Sequence, residues 1–216
     1  MTAPVRASCL NNFAHLIEEL QGNPEDLFAK AGIDFNQRDD HDYFFPYQHF
    51  IDLRELCAQD LNQSDIGLQL AMRQDESILG PVAFLGLSAH DVRSALISVG
   101  KFLHHFTPAI SLTLKESENQ PSFVCLALID TNDNDSRQAV EHAVAFTLHI
   151  IDVVTEGKFK ARAVHFRHSK ISQGSQYQNA FSCPTLFLQE NDSIELDSNF
   201  LNIELNSHNP QLHGLV

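Results

Sequence analysis

The sequence predicts an α+β fold, in which a helical N-terminal part packs with an antiparallel sheet of about five strands and two long helices. Three observations carry this. Apolar residues recur at helical spacing through most of residues 1–78, and again over 91–106 and 137–156. The period changes to two over 110–115, where Ile110, Leu112 and Leu114 alternate with Ser111, Thr113 and Lys115 as in a half-buried strand. Further strand-like runs follow at 123–129, 161–168, 186–188 and 194–196, with turn residues between them. We therefore expect a single domain over 1–216, with a helical subregion at 1–78 and a helix-plus-sheet subregion at 79–206.

The elements follow in order. Leu10, Phe13, Ala14, Ile17 and Leu20 form a helical stripe ended by Gly22. Asn23-Pro24-Glu25-Asp26 supplies a cap, a proline at the first helical position and acids on the positive end of the dipole. The short helix it opens carries Leu27 and Phe28 and stops at Gly32. Residues 34–45, with Arg38, Asp39, Asp40 and Asp42, read as a loop. Pro46 starts a helix with Phe50, Leu53 and Cys57 on one face, and Ser64 is expected to cap a shorter one holding Ile66 and Leu70. The first 75 or so residues thus read as all-helical.

The central segment, 79–114, hands the chain from helices to sheet. Gly80-Pro81 breaks the chain and starts a short apolar helix. Ser88 and Asp91 offer caps for the next helix, whose stripe is Val92, Ala95, Leu96, Val99, Leu103 and Phe106. Thr107-Pro108 ends it before the strand at 110–115. Residues 117–121 read as a turn, and 123–129 is apolar on both faces, as in an interior strand. A polar loop and cap at 133–136 precede the longest helix. That helix is apolar nearly all round, which implies burial on more than one side. Gly157 closes it. Over 161–168, Val164 and Phe166 share one face and His165 and Arg167 the other. A short helix at 175–181 bears Tyr177 and Phe181, and 186–188 with 194–196 is expected as a last hairpin around Asn191-Asp192.

Composition narrows the function. Against 14 Lys and Arg stand 28 Asp and Glu, a net charge of −14, so these residues repel a phosphate backbone. No apolar run reaches membrane-spanning length, and the N-terminus lacks a signal-peptide core. The four cysteines show no CxxC spacing and suit free thiols in a reducing cytoplasm. There is no GxSxG elbow and no Gly-rich phosphate loop, so an enzyme has no motif to stand on. No cofactor is expected.

Three constellations bear on binding. His104 and His105 adjoin on a helix, where one of them could ligate haem, yet no basic cluster is visible to hold the propionates. His165 and His168 point to opposite faces of a strand and cannot share an ion. Lys158, Lys160, Arg162, Arg167 and Lys170 form a basic patch, either a solvated edge or, through Arg167 turned inward, a partner for a ligand carboxylate. Phe84, Phe102, Phe106 and Phe146 are each plain core or, together with Leu103 and Ile150, the wall of an apolar pocket with few polar anchors.

In this order the segments VRASCLNNFAHLIEELQGNPEDLFAKAGID, FPYQHFIDLRELCAQDL, IGLQLAMRQDESILGPVAFLGLSAHDVRSALISVGKFLHHFTP, VHFRH, YQNAFSCPTLFLQENDSIELDSNFL and NPQLHGLV resemble the N-terminal regulatory domain of AraC-type transcriptional regulators, in the arabinose-binding-like branch. The resemblance spans nearly the whole chain. It implies a domain that senses a small-molecule effector, forms a homodimer and controls helix-turn-helix motifs that have no counterpart in these 216 residues. DNA would be met only through those motifs. The label does not imply a sugar, and the resemblance assigns no contact residue. A dimerisation-only module and a haem or metal sensor are the alternatives.

Overall fold

The computed structural model describes residues 3–40, 42–117, 121–129 and 136–206, and in it the helical half comes first. Strand β1 (Pro4–Arg6) leads into a 3-10 turn at Ala7–Leu10, then helices α1 (Phe13–Glu19) and α2 (Pro24–Lys30). Asn23 caps α2 as expected, its side chain accepting from the Asp26 amide at 3.3 Å. The segment read as a loop ends instead in a second short strand, β2 (Phe44–Pro46), antiparallel to β1 with Val5 opposite Phe45 and Arg6 opposite Phe44. The N-terminal part is therefore not all-helical. Three-residue strands are too short to show a period, and only the alternation of exposed Phe44 with buried Phe45 marks this one. Across the ribbon, the Arg6 guanidinium lies 4.6 Å from the Phe44 ring centre.

Helix α3 (Tyr47–Asp60) follows Pro46, and α4 (Ile66–Ala71) follows a short turn. Ser64 does not cap α4 with its hydroxyl. A side chain from another helix serves that end: Gln138 Oε1 accepts from the Gly67 amide at 2.9 Å, while Gln138 Nε2 donates to the Ser64 carbonyl at 2.7 Å. Helix α5 (Pro81–Leu87) has its proline at the first position, and Asp91 caps α6 (Val92–Phe102) by accepting from the Ser94 amide at 2.8 Å. Ser88 closes α5 rather than opening α6. Helix α6 is shorter than expected, because residues 103–105 tighten into a 3-10 turn.

The sheet half contains β3 (Ile110–Lys115), β4 (Ser122–Leu128), α7 (Arg137–Val154), β5 (Ala161–His165), α8 (Gly174–Phe181), β6 (Thr185–Leu186) and β7 (Asp192–Leu196). Strand order is β3-β4-β7-β5-β6, so β4 is interior, as its apolar run predicts. The expected final hairpin does not form. Strand β7 inserts between β4 and β5, antiparallel to both, and β6 pairs with β5 in parallel, which makes the five-stranded sheet mixed. A short polar link between two strands is compatible with a hairpin or with a crossing, and here Leu188 adopts φ 59 and turns the chain across the sheet. One row of one face runs Leu114, Val124, Ile194, Val164 in register, with the last three fully buried. Helix α6 packs on β3, and α7 on β4 and β7. The turn residues 118–120, the loop at 133–135 and the closing 209–216 lie outside the described residues.

Helix α7 is the common neighbour of both halves, packing on α3, α4, α8 and the sheet. Gln138, Glu141 and His142 are buried on it among Ala139, Ala143, Val144 and Phe146. Each polar group is partnered on a different element. Glu141, with no exposed surface, accepts from the Tyr177 hydroxyl of α8 at 2.6 Å, and that hydroxyl accepts from the Ile171 and Ser172 amides. His142 meets Gln74 at 2.8 Å, and Gln74 holds the N-terminal strap by donating to the Cys9 and Asn11 carbonyls. Ser8 and Thr107 tie the same strap down through the Ile78 and Pro4 carbonyls. The four cysteines are free thiols, with Cys9, Cys57 and Cys183 buried and Cys125 half-buried. One apolar cluster includes Val5, Phe50, Val144, Ile194 and Leu205.

Two predictions follow from this packing. A methyl group on Gly67 would overlap the Gln138 backbone carbonyl oxygen. Alanine in place of glycine gains about 1 kcal/mol of intrinsic helix propensity, but overpacking against rigid backbone costs about 1–3 kcal/mol. Gly67→Ala therefore lowers the urea midpoint, whereas the clash-free reading would raise it. The second concerns pH. Burial raises the Glu141 carboxyl from 4.5 to about 8 against the opposing Tyr177 hydrogen bond, with Asp65 and Glu55 adding to the rise. The folded chain keeps a proton that the unfolded chain releases, so this contribution is full below about pH 4.5 and is lost as pH rises toward about 8. Burial lowers His142 and His168, so their contributions run the other way and are lost as pH falls through the ordinary histidine value of 6.5. Above that value Glu141 acts alone among them. The urea midpoint is expected to decline between about pH 6.5 and 8, and Glu141→Gln to flatten that decline.

Candidate ligand-binding site

Two adjoining, mainly apolar cavities lie along α7. The first, with a cavity volume of about 80 Å³ and partly open to solvent, is bounded by α5, α6, β3 and α7. Its walls are almost wholly apolar: Leu79, Leu96, Val99, Leu112, Phe146, Ile150 and Ile151 surround it, with Glu76 at one side and Thr147 as the other polar group. The Thr147 hydroxyl is already committed to the Ala143 carbonyl at 2.8 Å. The space exists because small residues face it, namely Ala83 and Gly86 on α5 and Ala95 on α6. Gly86 also lets α5 cross close to α6, since a methyl group there would stand 2.9 Å from Val99. Gly100 lets α6 lie on β3, since its methyl would stand 2.5 Å from the Leu112 carbonyl oxygen.

The second cavity, about 60 Å³, shares Leu79, Val99, Leu112, Phe146 and Thr147 with the first and extends toward α3 and the N-terminal strap. Here the wall gains polar groups: Cys9, Tyr47 and His142 join Phe50, Leu103 and Phe106. The hydrogen bonds settle the state of His142. Gln74 spends its amide N–H groups on two carbonyls, so its oxygen faces the ring and His142 Nε2 must be the donor. Burial, helped by the charge of Arg54, holds the ring neutral by pushing its pKa well down. The Cys9 thiol and the Tyr47 hydroxyl are pushed up by burial, against the pull of the same Arg54, so both keep their protons at neutral pH.

The residues expected to bind ligand separate into two sets. Phe146 lines both cavities, Ile150 the first, and Leu103 and Phe106 the second. Phe84, Phe102 and Arg167 line neither. Phe84 is 65% exposed, neither core nor wall, because α5 turns Val82 and Ala83 inward and carries the next side chain out. Phe102 is half-buried and stacks on His105 with ring centres 6.2 Å apart. Arg167 is exposed, and its backbone amide donates to Asp192 at 2.8 Å. The rest of the basic patch, Lys158, Lys160, Arg162 and Lys170, is exposed as well. His104 and His105 are exposed and lie against each other, 4.2 Å between ring centres. Among the described residues no group of three or more His, Cys, Asp or Glu could hold a metal ion. No helix of the described residues is long and apolar enough to cross a membrane. The sequence reading missed Tyr47 and Phe50 as walls. The one signal available for the first cavity was the α6 stripe, of which Val92, Ala95, Leu96 and Val99 all line it.

Comparison with known proteins places this geometry. Residues 22–205 match the family described as the arabinose-binding domain of AraC transcription regulator, N-terminal. The HTH-type transcriptional regulator VirS, from two strains of Mycobacterium tuberculosis (CDC 1551 / Oshkosh and ATCC 25618 / H37Rv), is 25% identical over 194 residues, which is 89% of this chain and 57% of VirS. The crystal structure of the transcriptional regulator CdpR from Pseudomonas aeruginosa shares the fold, with a TM-score of 0.64, 16% identity, and coverage of 88% of this chain and 58% of that one. The chain thus spans less than two thirds of the regulators it matches. With the family match covering most of the chain, it belongs to the N-terminal arabinose-binding domains of AraC-type transcription regulators.

Proposed function

We propose that this chain is one effector-sensing regulatory domain, with a helical subregion at 1–78 and a helix-plus-sheet subregion at 79–206, and that it binds a small, largely apolar molecule in the cleft along α7. The observation that carries the reading is the cleft itself. Two adjoining apolar cavities meet at Phe146, between elements that belong to both subregions. Such a space loses dispersion contacts while empty and gains them when filled. A guest touching α5, α6 and α7 together favours whichever arrangement of those helices fits it, and so shifts an equilibrium the domain already has. In the full regulator that shift would be felt by paired DNA-binding domains, in the cytoplasm where DNA is met, with this domain as the dimerising half. The chemistry is binding, not catalysis.

A second reading, self-association without a ligand, has its own support: Phe84 and Ile97, 65% and 53% exposed, stand out from α5 and α6 beside the cleft. Under it, light scattering gives a dimer that the double variant Phe84→Ser, Ile97→Ser splits, and no apolar dye binds saturably.

Under the sensing reading, Nile red binds one saturable site per chain. Ala95→Phe places a ring in the first cavity and weakens that binding at least about tenfold, or about 1.4 kcal/mol, without lowering the melting temperature of the ligand-free chain. Wild-type chain that shows no saturable binding, or an Ala95→Phe variant that binds like wild type, defeats the reading.

A further inference from the structure

The second cavity is backed by a charge that has no counter-charge among the described residues. Arg54 on α3 is 0% exposed. Its Nε donates to the Phe50 carbonyl at 3.2 Å, one NH2 reaches the Tyr47 hydroxyl at 3.4 Å, and NH1 has no partner. No carboxylate pairs with it among the described residues. Its guanidinium lies 3.8 Å from the centre of the Phe50 ring. Among the described residues, that contact, the Tyr47 ring with its centre 5.8 Å away and two uncharged oxygens offset a fully buried cation. An arginine cannot shed its proton to escape the cost of burial without a counter-charge. The neighbours do not supply an anion either, because Cys9 and Tyr47 are held protonated.

Tyr47, Phe50 and Arg54 lie three and four residues apart along α3, on one face. The first two form cavity wall, so the guanidinium sits one ring behind it. Its field is felt at three lining groups, Cys9, Tyr47 and His142. Tyr47 accepts from Arg54 and so keeps its own O–H to donate. A hydroxyl donor with an uncompensated cation directly behind it is a receptor for one negative oxygen group. The remainder of the cleft is mostly hydrocarbon, with Cys9, His142, Thr147 and Glu76 as its other polar lining groups.

We propose that the cleft takes an amphipathic monocarboxylate, with its acid group at the Tyr47 hydroxyl against the Arg54 charge and its apolar tail running past Phe146 into the first cavity. The proposal rests on the effector-sensing reading above and names its ligand class. Binding then neutralises the buried cation, so the acid is preferred over an uncharged molecule of the same length. The cation also links α3 to occupancy of a cleft walled elsewhere by α5, α6, α7 and the sheet.

The test compares decanoate with decanol by calorimetric titration at near-neutral pH, on wild-type chain, Arg54→Met and Tyr47→Phe, with Nile red binding as a check on the cleft. Wild type is expected to bind the acid at least about tenfold tighter than the alcohol. Arg54→Met is expected to lose that preference while melting no lower than wild type, because the unpaired charge leaves with the side chain. Tyr47→Phe, which keeps the charge and the ring, is expected to reduce the preference and decides the matter if Arg54→Met does not fold. Wild type that binds acid and alcohol alike, or binds neither, overturns the proposal, as does a preference unchanged in Tyr47→Phe. In those cases saturable Nile red binding leaves the sensing reading standing, and its absence removes that reading too.

Discussion

The N-terminal half of α7 is buried on nearly every side, and that burial forces each polar side chain on it to find a partner on a different element. Gln138 reaches α4, Glu141 reaches α8, and His142 reaches Gln74 and through it the N-terminal strap. An unpaired buried polar group costs about 1–3 kcal/mol, so these bonds select one relative placement of four elements rather than merely adding attraction. Gly67 belongs to the same constraint, because α4 can approach the Gln138 carbonyl only without a side chain. The apolar residues of α7 give cohesion, and the polar ones give register.

The C-terminal half of the helix serves a different end. There Phe146, Thr147, Ile150, Ile151 and Val154 face space instead of tight neighbours. The change falls within a single helix, so the anchored half fixes the position of the wall that the other half presents. A guest in the cleft would press on a helix whose opposite end is bonded to the strap, to α4 and to α8. Displacement there has a defined route to the rest of the molecule. Arg54 adds an electrostatic side to the arrangement, since its field helps keep His142 neutral within reach of Gln74.

Much of this was legible in the residues. The period-3.6 stripes of α1 and α6, the all-round apolar character of α7, the Asn23 and Asp91 caps and the β3–β4 pairing all follow from local chemistry, because caps and apolar patterns depend on neighbours within a turn or two. The β1–β2 ribbon was not, since strands of three residues carry no readable alternation. Nor was the place of β7, because alternation fixes which face a strand buries and not which strand it lies beside. Phe146 and Ile150 were legible as walls through the apolar circumference of α7, while the exposed Phe84 shows that an aromatic residue on a short apolar helix need not face inward.

By itself, then, the sequence determined the class of fold, the family resemblance, the acidic balance of the chain and the identity of its two long helices. Those properties are sums or local patterns, and each survives without knowing where distant residues lie. Only the tertiary structure decided that Arg54 is buried without a counter-ion among the described residues, that Arg167 is at the surface, and that Tyr47, His142 and Phe146 face one cavity. An arginine in YQHFIDLRELC reads as a solvated helix residue from its neighbours in sequence. Its burial is imposed by packing from other elements, which no periodicity within α3 records.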